Sequence, residues 1–155
     1  MIIRSLSADD PIPMNLLLDA DPSVEMVEEY LANGVTVVGE HDGNLIGVYV
    51  LLEINPETIE IMNIAVAEEW QGQGIGRQLI EHAIRFAKEK GYHVIRIGTG
   101  NSSVGQLALY QKCGFRLVGI ETDFFVIHYP EPIFENGIQC RDKIRLEIQL
   151  REEGK

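Results

Sequence analysis

A chain of 155 residues, 45% apolar and 24% charged, has enough material for one hydrophobic core and too little for two. With 13 basic residues against 24 acidic ones the net charge is -11. That excludes the basic face a nucleic-acid partner needs and would draw in a cationic ligand, although it also serves plain solubility. No apolar run approaches the ~20 residues that span a bilayer, and Cys113 and Cys140 lack metal-site spacing, so neither a membrane segment nor a metal is expected.

Residues 2–6 alternate as a strand and lack a signal-peptide core, which sets the expectation of a cytoplasmic protein. Ser7-Ala8-Asp9-Asp10 reads as a helix start of capping-box type, with Pro11 and Pro13 in its first turn. Asp21-Pro22-Ser23 restarts a helix that Asn33-Gly34 closes. Two β-rich runs, 35–40 and 45–54, flank Asp42-Gly43, a hairpin signal, and a third covers 59–66. Apolar residues at spacings of three and four then mark a helix through Phe86 and Ala87, ending at Lys88-Glu89-Lys90-Gly91. A strand at 93–98 follows, and the strand–helix–strand order makes it a right-handed crossover parallel to 59–66. A helix at 104–112, a strand at 115–121 and a final strand at 143–150 complete the set. Residues 1–150 form one domain, with 151–155 a frayed tail. The stretch 122–142 is long for a hairpin connection. It is read as an arm over a binding site or a homodimer contact, or else as an extended hairpin with no role in binding. Cys113, within an apolar helix, reads as a core residue and not as a nucleophile.

The chemistry concentrates at Trp70-Gln71-Gly72-Gln73-Gly74-Ile75-Gly76-Arg77, between the strand 59–66 and a helix. Glycines at alternate positions let a ligand approach the backbone. Unpaired amides at Gln73 to Arg77 at a helix start favour an anion. On its own such a cluster is equally an ordinary tight turn. A P-loop would need Gly-Lys-Ser/Thr where this chain has Gly76-Arg77-Gln78. A dinucleotide fingerprint counted from Gly72 would need a glycine at Arg77. What fits is Gln-x-x-Gly-x-Gly, Gln71 to Gly76.

That motif resembles the acetyl-CoA-binding turn of the GCN5-related N-acetyltransferases. Leu109-Tyr110-Gln111-Lys112-Cys113-Gly114-Phe115 is similar to the family's Leu-Tyr-x-x-x-Gly-Phe, and the element order is similar across essentially the whole chain. The resemblance implies an α/β (α+β) domain. Its sheet would be mixed and mostly antiparallel, with about seven strands, one parallel pair (the fourth and fifth) and about four flanking helices. It also implies acetyl-CoA as cosubstrate and an amine acceptor: a small polyamine-like or aminoglycoside-like amine, an amino acid, or a protein N-terminus or lysine, the net negative charge favouring a small cationic amine, with the first two helices lining the acceptor side. By position, Ile64, Ala65 and Val66 would meet the acetyl and pantetheine groups. Gln71, Gly72, Gln73, Gly74, Ile75, Gly76 and Arg77 would hold the pyrophosphate, and Tyr110 would face the sulfur.

The chemistry needs an amine that has lost its proton, backbone donors for the oxyanion and a proton for the departing thiolate. A phenol such as Tyr110 can supply that proton; the alternative is that it is a packed aromatic. Many family members carry an Asn seven residues before this Tyr. Here Ser103 stands there and Asn101 lies two residues earlier, so either could contact the cofactor, or Asn101 could cap the helix. Where some members carry a base Glu this chain has Gly98. Glu60, on the strand before the turn, is then the candidate base, against a solvated Glu or a water relay; His93 and His128 are weaker candidates. No Ser-His-Asp or Cys-His arrangement suggests a covalent intermediate. The rivals are a non-catalytic acyl-CoA-binding module and an unrelated nucleotide binder.

Overall fold

The computed structural model describes residues 1–150; the tail expected at 151–155 lies outside them. In chain order the elements are β1 (Ile2–Ser5), α1 (Met14–Ala20), α2 (Val24–Asn33), β2 (Val35–His41), β3 (Asn44–Asn55) and β4 (Thr58–Val66). A single 3-10 turn (Glu68–Trp70) precedes α3 (Ile75–Glu89), β5 (Val94–Gly100), α4 (Val104–Lys112), β6 (Arg116–Glu121), α5 (Phe124–His128), β7 (Ile133–Glu135), β8 (Ile138–Cys140) and β9 (Lys143–Gln149). Seven strands form one sheet in the order β1-β2-β3-β4-β5-β9-β6. The last strand inserts between β5 and β6, and only the β4/β5 pair is parallel. The mixed sheet with its parallel fourth and fifth strands is the architecture the resemblance implied, with one more helix, α5, than expected.

Both faces of the sheet are covered, so β3 reads as a continuous apolar run and not as an alternating one. Its side chains still sort by period two. Tyr49 and Leu51 join the core under α3 and α4, with Leu79, Ile80, Ala83 and Ile95. Val48 and Val50 join the core under α1 and α2, with Leu16, Leu17, Val27 and Tyr30. The α3 residues Ile75, Leu79, Ile80, Ala83 and Ala87 are all buried, as a one-faced helical stripe requires.

One element boundary corrects the sequence reading. Ser7 to Asp10 is a turn and not the first turn of a helix. The Asp10 carboxylate accepts the Ser7 N–H at 2.7 Å and both terminal nitrogens of Arg4 at 2.7 and 3.0 Å, and α1 begins only after Pro13. That fork lowers the Asp10 pKa to about 2, the Arg4 hydrogen bond being the larger cause. Ser23 caps α2 as expected, accepting from the Met26 N–H at 3.2 Å. Gly34 ends α2 in an extended conformation. Its lack of a side chain matters for space, because a Cβ there would collide with the Leu51 and Tyr30 carbonyls.

Two irregularities open the site. The parallel register of β4 with β5 runs from Thr58↔Val94 to Ile61↔Ile97 and stops, although both strands continue. On the other side of β4, Val50 pairs Asn63 and Leu51 pairs Ile61, so Met62 is an extra residue. Such a bulge bends its strand, and the two parallel strands part where it sits.

Candidate active site

Past the bulge, β4 has an unpaired edge. Ala67 donates its N–H to the Ile46 carbonyl at 2.8 Å, so by alternation Ala65 also faces β3, while Ile64 and Val66 turn their backbone groups to the gap. Gln71 reaches back to donate to the Val66 carbonyl at 3.0 Å, which fixes the start of the glycine turn. Gly72 and Gly74 have φ of +78° and +82° with open space where a Cβ would sit, so these glycines are needed for backbone conformation. Gly74 caps α3 without a side-chain cap, and no acidic residue stands in the first turn. The first helical bond is Gln78 N–H to the Gly74 carbonyl at 3.1 Å, which leaves the amides of Ile75, Gly76 and Arg77 without intrahelical partners. The side chain of Gln73 turns away, toward the Glu69 carbonyl at 3.4 Å.

These parts line one cleft of about 620 Å3, with Trp70, Ile80 and Leu109 as its apolar wall. A second chamber of about 360 Å3 adjoins it, and Asp19, Ala20, Ile64, Gln106 and Tyr110 line both. Tyr110, on α4, therefore stands at the joint. It is only 4% exposed and meets Phe115 edge-on at 6.2 Å, and among the described residues its hydroxyl has no hydrogen-bond partner. Burial, with a smaller contribution from Cys113, raises its pKa above the ordinary tyrosine value, so the phenol keeps its proton at neutral pH.

The second chamber is built from side chains. Glu60 is 6% exposed and lies in its wall, with Lys143 Nζ at 3.6 Å and Arg96 Nη1 at 3.9 Å. Asp21, between α1 and α2, accepts from the Tyr129 hydroxyl at 2.8 Å and the Tyr30 hydroxyl at 3.2 Å. Asn63, 5% exposed, donates to the Leu17 carbonyl and the Tyr30 hydroxyl, while its own Oδ1 is buried without a partner. The arm at 122–142 adds to the lining through Phe124, Phe125, Tyr129, Ile133 and Glu135. It is folded, with α5 followed by the β7–β8 hairpin around Asn136-Gly137, both at positive φ.

The structure brings Ile64, Ala65, Val66, Gln71, Gly72, Gly74, Ile75, Gly76, Arg77 and Tyr110 to the first cleft, and Glu60 to the second chamber. Asn101 lines neither. Its Oδ1 accepts from the Arg141 and Asp142 amides at 2.8 and 2.9 Å and its Nδ2 donates to the Gln139 carbonyl, so its amide clamps the arm. It does not cap α4 either, since the N-cap position is Ser103, which makes no side-chain cap. Ser103 lines the second chamber, where its hydroxyl donates to Glu135 at 2.7 Å. The two weaker candidates also lie elsewhere: His93 pairs with Glu57 at 2.8 Å, and the exposed His128 packs on Phe124. Cys113 and Cys140 are free thiols whose pKa burial raises. Among the described residues no group of three His, Cys, Asp or Glu side chains could hold a metal.

Sequence reasoning missed Asp21, Tyr30, Asn63, Tyr129, Glu135 and Lys143 as site residues. One signal was legible, because Asn63 interrupts an otherwise apolar end of β4 and a buried polar residue there requires partners. The rest are scattered between Asp21 and Lys143 and share no spacing; the bonded pair Tyr129 and Asp21 is itself 108 residues apart.

Comparison with known proteins supports the same reading. Residues 5–115 match the family described as Acetyltransferase (GNAT) family. An uncharacterized N-acetyltransferase of Bacillus subtilis (strain 168), YvbK, is 56% identical over 136 residues, 88% of each chain. A GNAT family acetyltransferase from Elizabethkingia anophelis, solved with acetyl-CoA bound, superposes with a TM-score of 0.94 at 51% identity over 96% of this chain and 97% of that one. An IAA acetyltransferase from Bacillus cereus ATCC 14579 superposes with a TM-score of 0.91 at 54% identity over 96% and 98%. A parted parallel strand pair, a bare helix start beside it and a match of this extent lead to one conclusion: the chain belongs to the acetyltransferase (GNAT) family and is an acyltransferase.

Proposed function

We propose that this protein transfers the acetyl group of acetyl-CoA to the primary amine of a small cationic acceptor, by direct attack within a ternary complex. One observation carries the proposal. A cleft with an unpaired strand edge at one end and a bare helix N-terminus at the other opens at Tyr110 into a separate polar chamber. The cosubstrate fits the first cleft by chemistry. Its pantetheine amides match the open-edge backbone groups of Ile64 and the N–H of Val66, whose carbonyl Gln71 already holds, and its pyrophosphate matches the amides of Ile75 to Arg77 and the positive end of the α3 dipole. The Elizabethkingia relative with acetyl-CoA bound supports this assignment.

In the reaction the neutral amine nitrogen forms a bond to the thioester carbonyl carbon, the carbon–sulfur bond breaks, and the thiolate must gain a proton. Tyr110 donates that proton, its burial keeping the hydroxyl protonated. Backbone N–H groups on the open edge of β4 stabilise the oxyanion. Glu60, in the chamber wall, takes the proton the ammonium loses. If Glu60→Gln left the pH profile and kcat/KM unchanged, solvent would be the base instead.

The Tyr129–Asp21 hydrogen bond joins the arm to the α1–α2 connection in the chamber lining. A chamber of about 360 Å3 suits a small acceptor better than a polypeptide segment. Among the described residues no helix is long and apolar enough to cross a membrane, and we place the protein in the cytoplasm with its cosubstrate. The test is calorimetric titration with acetyl-CoA, NAD and ATP, followed by an amine screen that reads free thiol. We expect micromolar binding of acetyl-CoA without NAD or ATP binding, and thiol release that depends on added amine. Binding of NAD or ATP in its place would refute the proposal, and acetyl-CoA binding with no amine-dependent thiol release would leave a non-catalytic module.

A further inference from the structure

An open sheet has two edges, and an unguarded edge is a template for another strand. One edge here, β1, is four residues long, and its Arg4 is engaged by Asp10 and Glu40. The other edge is β6, Arg116-Leu117-Val118-Gly119-Ile120-Glu121, which pairs only with β9 and carries charge only at its two ends. None of these six residues lines either cavity. Leu117, Val118 and Ile120 are 54%, 50% and 62% exposed. A bulge decides where two of them point. Leu117 pairs with Leu146 and Ile120 with Ile144, and the register shifts between them. Ile144 and Leu146 belong to the core under α3 and α4, so Leu117 and Ile120 share that face; in an unbulged strand, residues three apart would point to opposite faces. Their partners on β9 are buried and they are not, so the apolar face of the sheet runs out beyond its helices. Arg116 and Glu121 lie on the other face, across from Glu147 and Lys143. Arg96 holds Glu147 at 3.0 Å, and Arg116 makes no ion pair among the described residues. Glu121 reaches only the partly exposed Arg145, at 3.4 Å.

This strand is complementary to itself. Laid antiparallel on a second copy, it sets Leu117 against the partner's Ile120, Val118 against the partner's Gly119 and Arg116 against the partner's Glu121. A two-fold axis makes each contact twice. Every pair then matches in chemistry and in face, apolar on the helix side and opposite charges on the other. A slip of one residue either way would set Leu117 against a carboxylate or Arg116 against Ile120. A net charge of -11 repels copies in general, so a local match of signs is what directs them to this edge. We propose that two copies of this chain pair through β6, with one sheet running through both and the apolar strip flanked by two Arg116–Glu121 pairs. The proposal stands apart from the acetyltransferase reading.

Sedimentation velocity of the full chain across the micromolar range tests it, and a reversible dimer is expected. Arg116→Glu and Glu121→Arg each turn both ion pairs into like-charge pairs, and each should raise the dimer dissociation constant about 10- to 100-fold. Mixing the two variants restores opposite charges at both contacts, so the mixture should dimerise as the wild type does. Acetyl-CoA affinity, unchanged in each variant because β6 lies outside both cavities, reports that the fold is intact. A monomer throughout the range would overturn the proposal and leave the edge to a different protein. A dimer that survives both substitutions would overturn it by placing the contact elsewhere, such as on the arm. Variants whose mixture stays monomeric would overturn the self-pairing register.

Discussion

The two cavities that meet at Tyr110 are made of different material. The cleft we propose for the cosubstrate is mostly backbone: a strand edge at Ile64 and Val66, two left-handed glycines, and three amides at the start of α3, all drawn from the continuous stretch Ile64 to Arg77. The chamber proposed for the acceptor is mostly side chain, collected from α1, α2, β4, β5, the arm and β9 and joined by hydroxyl–carboxylate bonds. Backbone recognition tolerates side-chain change except where a Cβ or a φ value intervenes. Side-chain recognition depends on each residue separately. On the proposed assignment, one site would hold a constant cosubstrate while its acceptor is set elsewhere.

Substitutions on the two sides should separate accordingly. The largest effect is expected for Gly74→Val. Forcing a β-branched residue to φ +82° costs about 1–2 kcal/mol, and the loss of two charge-assisted amide contacts adds more. Acetyl-CoA affinity should fall about 1000-fold or more by calorimetry, and wild-type affinity would break the account of the glycine turn. Next comes the joint. Tyr110→Phe should lower kcat by about 100-fold or more with acetyl-CoA affinity nearly unchanged, and an unaltered kcat would remove Tyr110 as the acid. The sign of its pKa shift adds a second readout. Because burial raises the Tyr110 pKa, the donating form persists above the ordinary value near 10, so wild-type kcat/KM should not begin to fall as pH rises through about 10. A descending limb there that vanishes in the Phe variant would contradict this.

On the acceptor side the effects are smaller and leave the cosubstrate alone. Asn101→Ala strips partners from two amides and a carbonyl of the arm, and should cost about 1–3 kcal/mol, seen as a Tm lower by several degrees. A large drop in acetyl-CoA affinity with no change in Tm would instead place Asn101 at the cofactor. Smallest is Tyr129→Phe, which removes one hydrogen bond to Asp21 and should raise the acceptor KM about 2- to 10-fold without moving acetyl-CoA affinity.

What was legible followed the same division. Gln71 to Arg77 could be read because a positive φ demands glycine and a helix start exposes amides, and both are local rules. Tyr110 came with its own short motif on one helix. The helix start placed at Ser7 was misread because hydrogen bonds like those of a capping box form here, from the Ser7 N–H to Asp10 and from the Asp9 N–H to Ser7 Oγ, yet close only a turn, since Pro11 and Pro13 lack the N–H groups that would carry it on as a helix. Asn101 stood in the right neighbourhood of sequence, yet its amide turns toward Gln139, Arg141 and Asp142, a choice settled by where the arm folds back.

The sequence by itself determined most of the elements, the parallel crossover and the glycine turn at the start of α3, because these follow from local patterning and the order of elements along the chain. Only the tertiary structure decided that β9 enters between β5 and β6, that β4 and β5 part beyond Ile61, and that Asp21, Tyr129 and Glu135 face one chamber. Those outcomes depend on burial and hydrogen bonding between segments far apart in sequence, for which local patterning carries no record.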